Sequence, residues 1–160
     1  MSEISIALSD DFEQLADIGL ENFPPYLMNR IMGRYNAAVH EEMANLGLTT
    51  PQLRSLAVLS TRDGILIREL AVYTVVPQST LSRALEPLDR DGLIRRETDE
   101  TDSRATRVFI TNAGHNAYKK LWPHLARSYE AMFVGIDDDK KRMFLSILQQ
   151  MLQNIRKHDF

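Results

Sequence analysis

The run Pro77-Gln78-Ser79-Thr80-Leu81-Ser82-Arg83-Ala84-Leu85-Glu86-Pro87-Leu88-Asp89-Arg90-Asp91-Gly92 decides how the rest of the chain is read. Leu81, Leu85 and Leu88 recur at the spacing of one helix face, while Gln78, Ser79, Thr80, Ser82 and Arg83 fill the remaining circumference. Pro77 suits the start of a helix, and Gly92 suits a left-handed cap at its end. A helix that enters a DNA major groove needs short hydrogen-bonding side chains on one face and an apolar anchor on the other. Residues Pro77 to Arg90 meet that description, with Pro77, Gln78, Ser79, Thr80, Ser82 and Arg83 as the expected DNA-facing residues and Ser82 and Arg83 on the outward face.

Downstream, Leu93-Ile94-Arg95-Arg96 and Thr106-Arg107-Val108-Phe109-Ile110 have the composition of short strands on either side of the polar stretch Glu97 to Ala105. This predicts a β-hairpin with a long tip, and Arg104 is placed to meet the negative potential of a narrow minor groove. Upstream, a short helix is expected over Leu66 to Val72, with Ile67, Leu70 and Ala71 inward and a break at Tyr73 to Val76. Before it, Thr49-Thr50-Pro51-Gln52 opens a helix that runs to about Ser60.

Long helices flank this region. Leu20, Phe23, Leu27, Ile31, Tyr35 and Ala38 share a face of a first helix that ends at Gly47, with regular helix beginning at Pro24 and Pro25 and the segment before it irregular. Thr111 caps a helix carrying Ala117, Tyr118, Leu121, Leu125 and Tyr129, which Pro123 should bend. Asp137 opens a last helix with Phe144, Ile147, Leu148, Met151, Leu152 and Ile155. Both C-terminal helices carry more apolar surface than a small core needs. The acidic run Asp137-Asp138-Asp139 reads as a helix cap rather than a cation site.

Composition narrows the function classes. With 160 residues, 44% hydrophobic and 26% charged, the chain fits one compact soluble unit. No apolar run approaches the ~20 residues that span a bilayer, and the acidic residues among Met1 to Asp17 do not suit an export leader. The absence of cysteine removes disulfides and thiol redox switching and is compatible with a cytoplasmic setting. His40, His115, His124 and His158 are scattered, so no metal is expected. No phosphate loop or nucleophile elbow is present, so neither a cofactor nor an enzymatic activity is expected.

The order of elements spells a mainly α fold with a small β-hairpin wing, a winged helix-turn-helix with N- and C-terminal dimerisation helices. Leu48-Thr49-Thr50-Pro51-Gln52, Ile67-Arg68-Glu69-Leu70-Ala71, Leu81-Ser82-Arg83-Ala84-Leu85, Asp91-Gly92-Leu93-Ile94-Arg95-Arg96, Asp102-Ser103-Arg104 and Ile110-Thr111-Asn112-Ala113-Gly114 follow one another in this order. On these residues the stretch from about Leu48 to Gly114 resembles the multiple antibiotic resistance regulator (MarR) family. The resemblance implies a cytoplasmic homodimer, with residues 1–47 and 111–160 as the dimerisation region and 48–110 binding DNA. It implies that Asp102 orients Arg104 on DNA and that the operator is a double-stranded pseudo-palindrome; repression is the expected outcome, although whether the result is repression or activation depends on operator position, which the sequence does not contain. It further implies a small aromatic or phenolic acid, or a thioester of one, as effector.

Two features depart from the family pattern. Pro87 falls in the middle of the expected recognition helix, where proline costs about 3 kcal/mol and kinks the axis, so base contacts are expected from the first two turns. From Val75 to Ile110 there are six arginines, no lysine and seven acidic residues, a balance of −1 rather than a basic patch. Arg83, Arg95, Arg96 and Arg107 therefore read either as DNA contacts or as ordinary surface arginines. Tyr26, Arg30, Met32 and Arg34 are the candidate ligand residues, while Phe23, Met28, Tyr35, Trp122 and His124 are equally readable as pocket wall or as packing. A winged-helix protein-interaction module without specific DNA binding is the alternative, against which Asp102 and Arg104 argue.

Overall fold

The computed structural model describes residues 14–156. They form two compact units, whose boundary falls between Ala38 and Val39. The first contains helix α1 (Leu15–Ile18), a 3-10 turn (Leu20–Asn22) and the start of helix α2 (Pro24–Asn45). The segment before Pro24, expected to be irregular, is thus partly helical: the Asp17 carboxylate accepts from the Gln14 N–H at 2.9 Å and secures the first short turn. The prolines do open the long helix, as anticipated.

The second unit continues with α3 (Thr50–Leu59), β1 (Ile65–Leu66), α4 (Ile67–Thr74), α5 (Gln78–Arg90), β2 (Ile94–Thr98), β3 (Thr106–Ile110), α6 (Asn112–Met132) and α7 (Asp138–Ile155). Its core is built from Leu56 and Leu59 of α3, Leu70 and Ala71 of α4, Leu81, Leu85 and Leu88 of α5, and Ile94, Val108 and Ile110 of the sheet. The three leucines that singled out α5 in the sequence are its inward face, leaving Gln78, Ser79, Thr80 and Arg83 exposed and Ser82 half-buried.

The wing is a three-stranded antiparallel sheet in the order β1-β3-β2 rather than a simple hairpin. Ile94 pairs with Ile110 and Thr98 with Thr106, so β2 runs to Thr98 and the tip is shorter than expected. On its other edge β3 takes up Ile65 and Leu66, opposite Val108 and Arg107. Leu66 was expected to open a helix; instead it is a strand residue, and α4 starts one position later. Two residues are too few for a strand signal in sequence, because their pairing is decided by a partner some forty positions away.

The helix breaks have a common geometry. In α2, α4 and α5 a backbone N–H reaches back five residues: Leu48 to Met43, Val76 to Ala71 and Leu93 to Leu88, at 2.9, 3.1 and 2.8 Å. This closure forces the preceding residue into the left-handed region. Gly47 and Gly92 supply it at two of the three ends, and Val75 supplies it at φ 55°. The break between α4 and α5 is therefore tighter than the expected Tyr73 to Val76. Pro87 lies in the last turn of α5 rather than its middle, and the helix runs through it as one element; α6 likewise runs through Pro123.

Polar capping follows the sequence. The Thr111 hydroxyl accepts from the Gly114 N–H at 3.1 Å and donates to the Gly92 carbonyl at 2.6 Å, joining the start of α6 to the end of α5. Asp137 accepts from the Lys140 N–H at 2.9 Å, so it caps α7. No residue of α7 is buried, and Met143, Phe144, Ile147, Leu152 and Ile155 are exposed. No helix among the described residues is long and apolar enough to cross a membrane.

Candidate nucleic-acid interface

The amino-terminal half of α5 and the loop between β2 and β3 border one groove of about 400 Å3. Gln78 and Ser82 line it from α5, Asp102, Arg104, Ala105 and Thr106 from the wing, and Leu66, Ile67 and Arg68 from the β1–α4 junction. Of the residues expected from sequence, the groove brings together Gln78, Ser82, Asp102 and Arg104. Pro77, just before α5, and Ser79, Thr80 and Arg83 on it are exposed but do not line the groove.

Arg104 is almost fully exposed, its side chain 91%. Asp102 Oδ1 accepts from the Arg104 backbone N–H at 3.0 Å and lies 3.4 Å from Nε. The backbone bond fixes where the arginine leaves the loop, while the longer side-chain contact leaves the guanidinium ends unengaged by Asp102. That arrangement suits a cation that must stand away from the protein and reach an anion elsewhere.

Ion pairing sorts these arginines without changing the balance of −1 in the window. Among the six arginines between Val75 and Ile110, Arg90 pairs with Asp91, Arg95 with Glu97, Arg96 with Asp89 and Arg107 with Asp99. Arg95 also stacks over the Phe109 ring at 4.0 Å. Four of the seven acidic residues are thereby matched to arginines that do not line the groove. Arg83 has no hydrogen-bond or ion-pair partner among the described residues, and Arg104 has only its loose contact with Asp102. Sequence charge averages over a window, whereas DNA meets only the charges that remain unmatched and exposed.

Arg68 was missed. It is exposed, has no hydrogen-bond or ion-pair partner among the described residues, and lines the same groove as Arg104. Its neighbour Glu69 is occupied in accepting from the Leu66 N–H at 2.9 Å. Only the pairing of β1 with β3 carries Arg68 beside the wing, and that pairing is not legible in the sequence around it.

The candidate ligand residues lie on α2. Arg30 Nη1 donates to the Tyr26 hydroxyl at 3.0 Å, and Met32 and Arg34 are exposed. Tyr35 is half-buried, and burial raises its phenol above the usual range. In the second unit, His124 Nδ1 lies 3.1 Å from Glu42, and Trp122 is exposed with the Tyr118 ring 6.4 Å away. His158 lies outside the described residues.

Comparison with known proteins places these features in a family. The sequence model of the MarR family matches residues 46–105, which hold α3 through the wing loop. The chain is similar to a MarR-family transcriptional regulator from Silicibacter pomeroyi, at 52% identity and a TM-score of 0.88 over 92% of this chain and 99% of that one. It is also similar to the HTH-type transcriptional repressor IacR of Pseudomonas putida, at 23% identity over 92% of this chain and 84% of the relative. The fold is shared with CouR of Rhodococcus jostii RHA1, solved bound to p-coumaroyl-CoA, at 18% identity and a TM-score of 0.73 over 88% of this chain and 99% of that one.

Proposed function

The chain belongs to the MarR family of transcriptional regulators, and from that premise we propose that it is a cytoplasmic, non-enzymatic repressor that binds a pseudo-palindromic operator as a homodimer. One observation carries this reading: the groove-facing side of α5 and the exposed Arg104 stand together at one surface, while Arg90, Arg95, Arg96 and Arg107 are tied to carboxylates that do not line it. In a dimer, two copies of α5 about one helical turn apart, roughly 34–36 Å, meet successive major grooves. Each Arg104 then enters a flanking minor groove, and Arg68 contacts the backbone beside it.

The dimer reading rests on apolar surface. Leu27, Ile31 and Met32 of α2 and Met143, Phe144, Ile147, Leu152 and Ile155 of α7 are exposed in a single chain. Apolar faces of that extent call for a cover, and a second copy supplies it symmetrically.

The effector reading rests on Arg30 and Arg34, one turn apart on α2 beside Tyr26, a pairing suited to a carboxylate on an aromatic ring. The p-coumaroyl-CoA bound by CouR supports an aromatic acid or its thioester as the chemical class. A coupling of about 1–3 kcal/mol between ligand and DNA is enough to change occupancy 5–150-fold.

The test is a competition between duplex DNA from upstream of the protein's own gene and shuffled duplex of the same length. A preference of about 1,000-fold or more at physiological salt is expected, reduced in Arg83→Ala. Equal affinity for both duplexes, with a confirmed dimer, favours the protein-interaction module instead.

A further inference from the structure

We propose that Asp99 is the positioning residue of the wing: it folds the loop so that Asp102 can aim Arg104, and so controls DNA affinity without touching DNA. This rests on the DNA-binding reading above. Asp99 is unusual among the acidic residues of the wing in being buried, with its side chain only 4% exposed.

Every oxygen of that carboxylate is engaged. Oδ1 accepts from the Thr101 N–H at 3.0 Å, the Thr101 hydroxyl at 2.5 Å and the Asp102 N–H at 2.9 Å. Oδ2 accepts from Arg107 Nε at 2.6 Å, and Arg107 Nη1 continues to the Gly64 carbonyl at 2.7 Å. The backbone closes the same turn: the Asp99 N–H donates to the Ala105 carbonyl at 2.9 Å, and the Ala105 N–H to the Asp102 carbonyl at 2.8 Å.

These bonds form a relay. One end is anchored through Arg107 to the turn that precedes β1; the other fixes the backbone of Asp102, whose side chain in turn holds the Arg104 N–H. A carboxylate that is itself buried and satisfied by several donors is held rigidly, because releasing one leaves part of its charge uncompensated. Arg104 itself is almost fully exposed and has little packing of its own to define its direction. Its aim is therefore set from beneath, and ordering it before binding removes an entropic cost from the complex.

The test is a double-mutant cycle on operator affinity with Asp99→Ala, Arg104→Ala and the pair, at several salt concentrations, with dimer mass and melting temperature measured alongside. Asp99→Ala is expected to weaken binding roughly 10-fold or more, towards the level of Arg104→Ala, with the pair little worse than either alone. The slope of log affinity against log salt should fall in both single variants by the same amount, about 0.9 if one phosphate contact is lost. A protein merely loosened by the mutation would lose stability without matching the arginine's salt signature.

Where Asp99→Ala does not fold, Thr101→Val decides: it removes one hydroxyl bond at an exposed position and should weaken binding about 5-fold. Wild-type affinity in whichever variant is folded, or fully additive losses in the cycle, overturns the role of Asp99 while leaving DNA binding intact. Wild-type protein with no operator preference, and no response to Arg104→Ala, overturns both readings together.

Discussion

Gln52 Nε2 donates to the Ala84 carbonyl at 3.2 Å, tying the first turn of α3 to the middle of α5. The same side chain accepts from the Thr49 N–H at 2.8 Å, so one buried amide both caps its own helix and braces the helix assigned to DNA. Gln52→Leu keeps most of the volume and loses both bonds. The expected cost is about 1–2 kcal/mol, read as a fall of roughly 2–8 °C in Tm at fixed protein concentration. An unchanged Tm would show that the brace is redundant.

Val75 is 81% exposed and left-handed, in a position that glycine fills at the ends of α2 and α5. A β-branched residue there bears a steric penalty that glycine does not. Val75→Gly should therefore stabilise the fold by about 1 kcal/mol, less whatever the freer unfolded chain takes back. Calorimetry checks the sign, and a lower Tm would mean that the Val75 side chain contributes packing.

Gly114 is required by space rather than by φ. A Cβ there would stand 2.1 Å from the Leu93 carbonyl oxygen and 2.8 Å from Ile110 Cγ1. The obstruction is mainly backbone, held by the Thr111 and Gly92 connection, and cannot swing aside. Gly114→Ala should cost about 3 kcal/mol or more, enough to lower Tm by roughly 6–12 °C, whereas a change below one degree would mean the α6 junction is loose.

The arginines should divide by their partners. Arg68→Ala and Arg83→Ala are expected to weaken DNA binding and to lower the salt slope by about 0.9 for each phosphate contact removed. Arg96→Ala, whose guanidinium is held by Asp89 at 2.8 Å, should leave both affinity and slope close to wild type. Equal losses at all three sites would imply a diffuse electrostatic attraction and not a defined groove.

Acid should reveal the wing carboxylate. The Thr101 hydroxyl, above all, then the Thr101 and Asp102 N–H groups and Arg107, hold Asp99 well below the usual carboxylate range. A carboxylate lowered in the folded state adds stability above its unfolded value, near 3.9, and loses it as pH falls below that value towards the folded one. The stability difference between wild type and Asp99→Asn should thus be level above about pH 5 and shrink below about pH 4. Urea midpoints across that range check it, and a difference that grows with acid would contradict the assignment.

The sequence announces some of these features and conceals others for physical reasons. Leu81, Leu85 and Leu88 announce α5 because a helix face repeats locally, and Thr111 and Asp137 announce caps because capping acts over three residues. Ile65 and Leu66 are hidden, since their strand exists only through pairing with Arg107 and Val108. Arg68 and Asp99 are hidden with them. That pairing carries Arg68 to the groove, and Asp99 is distinguished from an ordinary surface acid only by donors that the folded loop brings to it. Charge counting misleads for the same reason, because it cannot tell Arg96, already matched, from Arg83.

Whether α5 and the wing read DNA together is decided by a hydroxyl-radical footprint on the DNA upstream of the protein's own gene. Two protected half-sites about one helical turn apart are expected, with flanking minor-groove protection that disappears in Arg104→Ala while the central protection persists. A confirmed dimer that protects no site, or a footprint unchanged in Arg104→Ala, would contradict that joint reading.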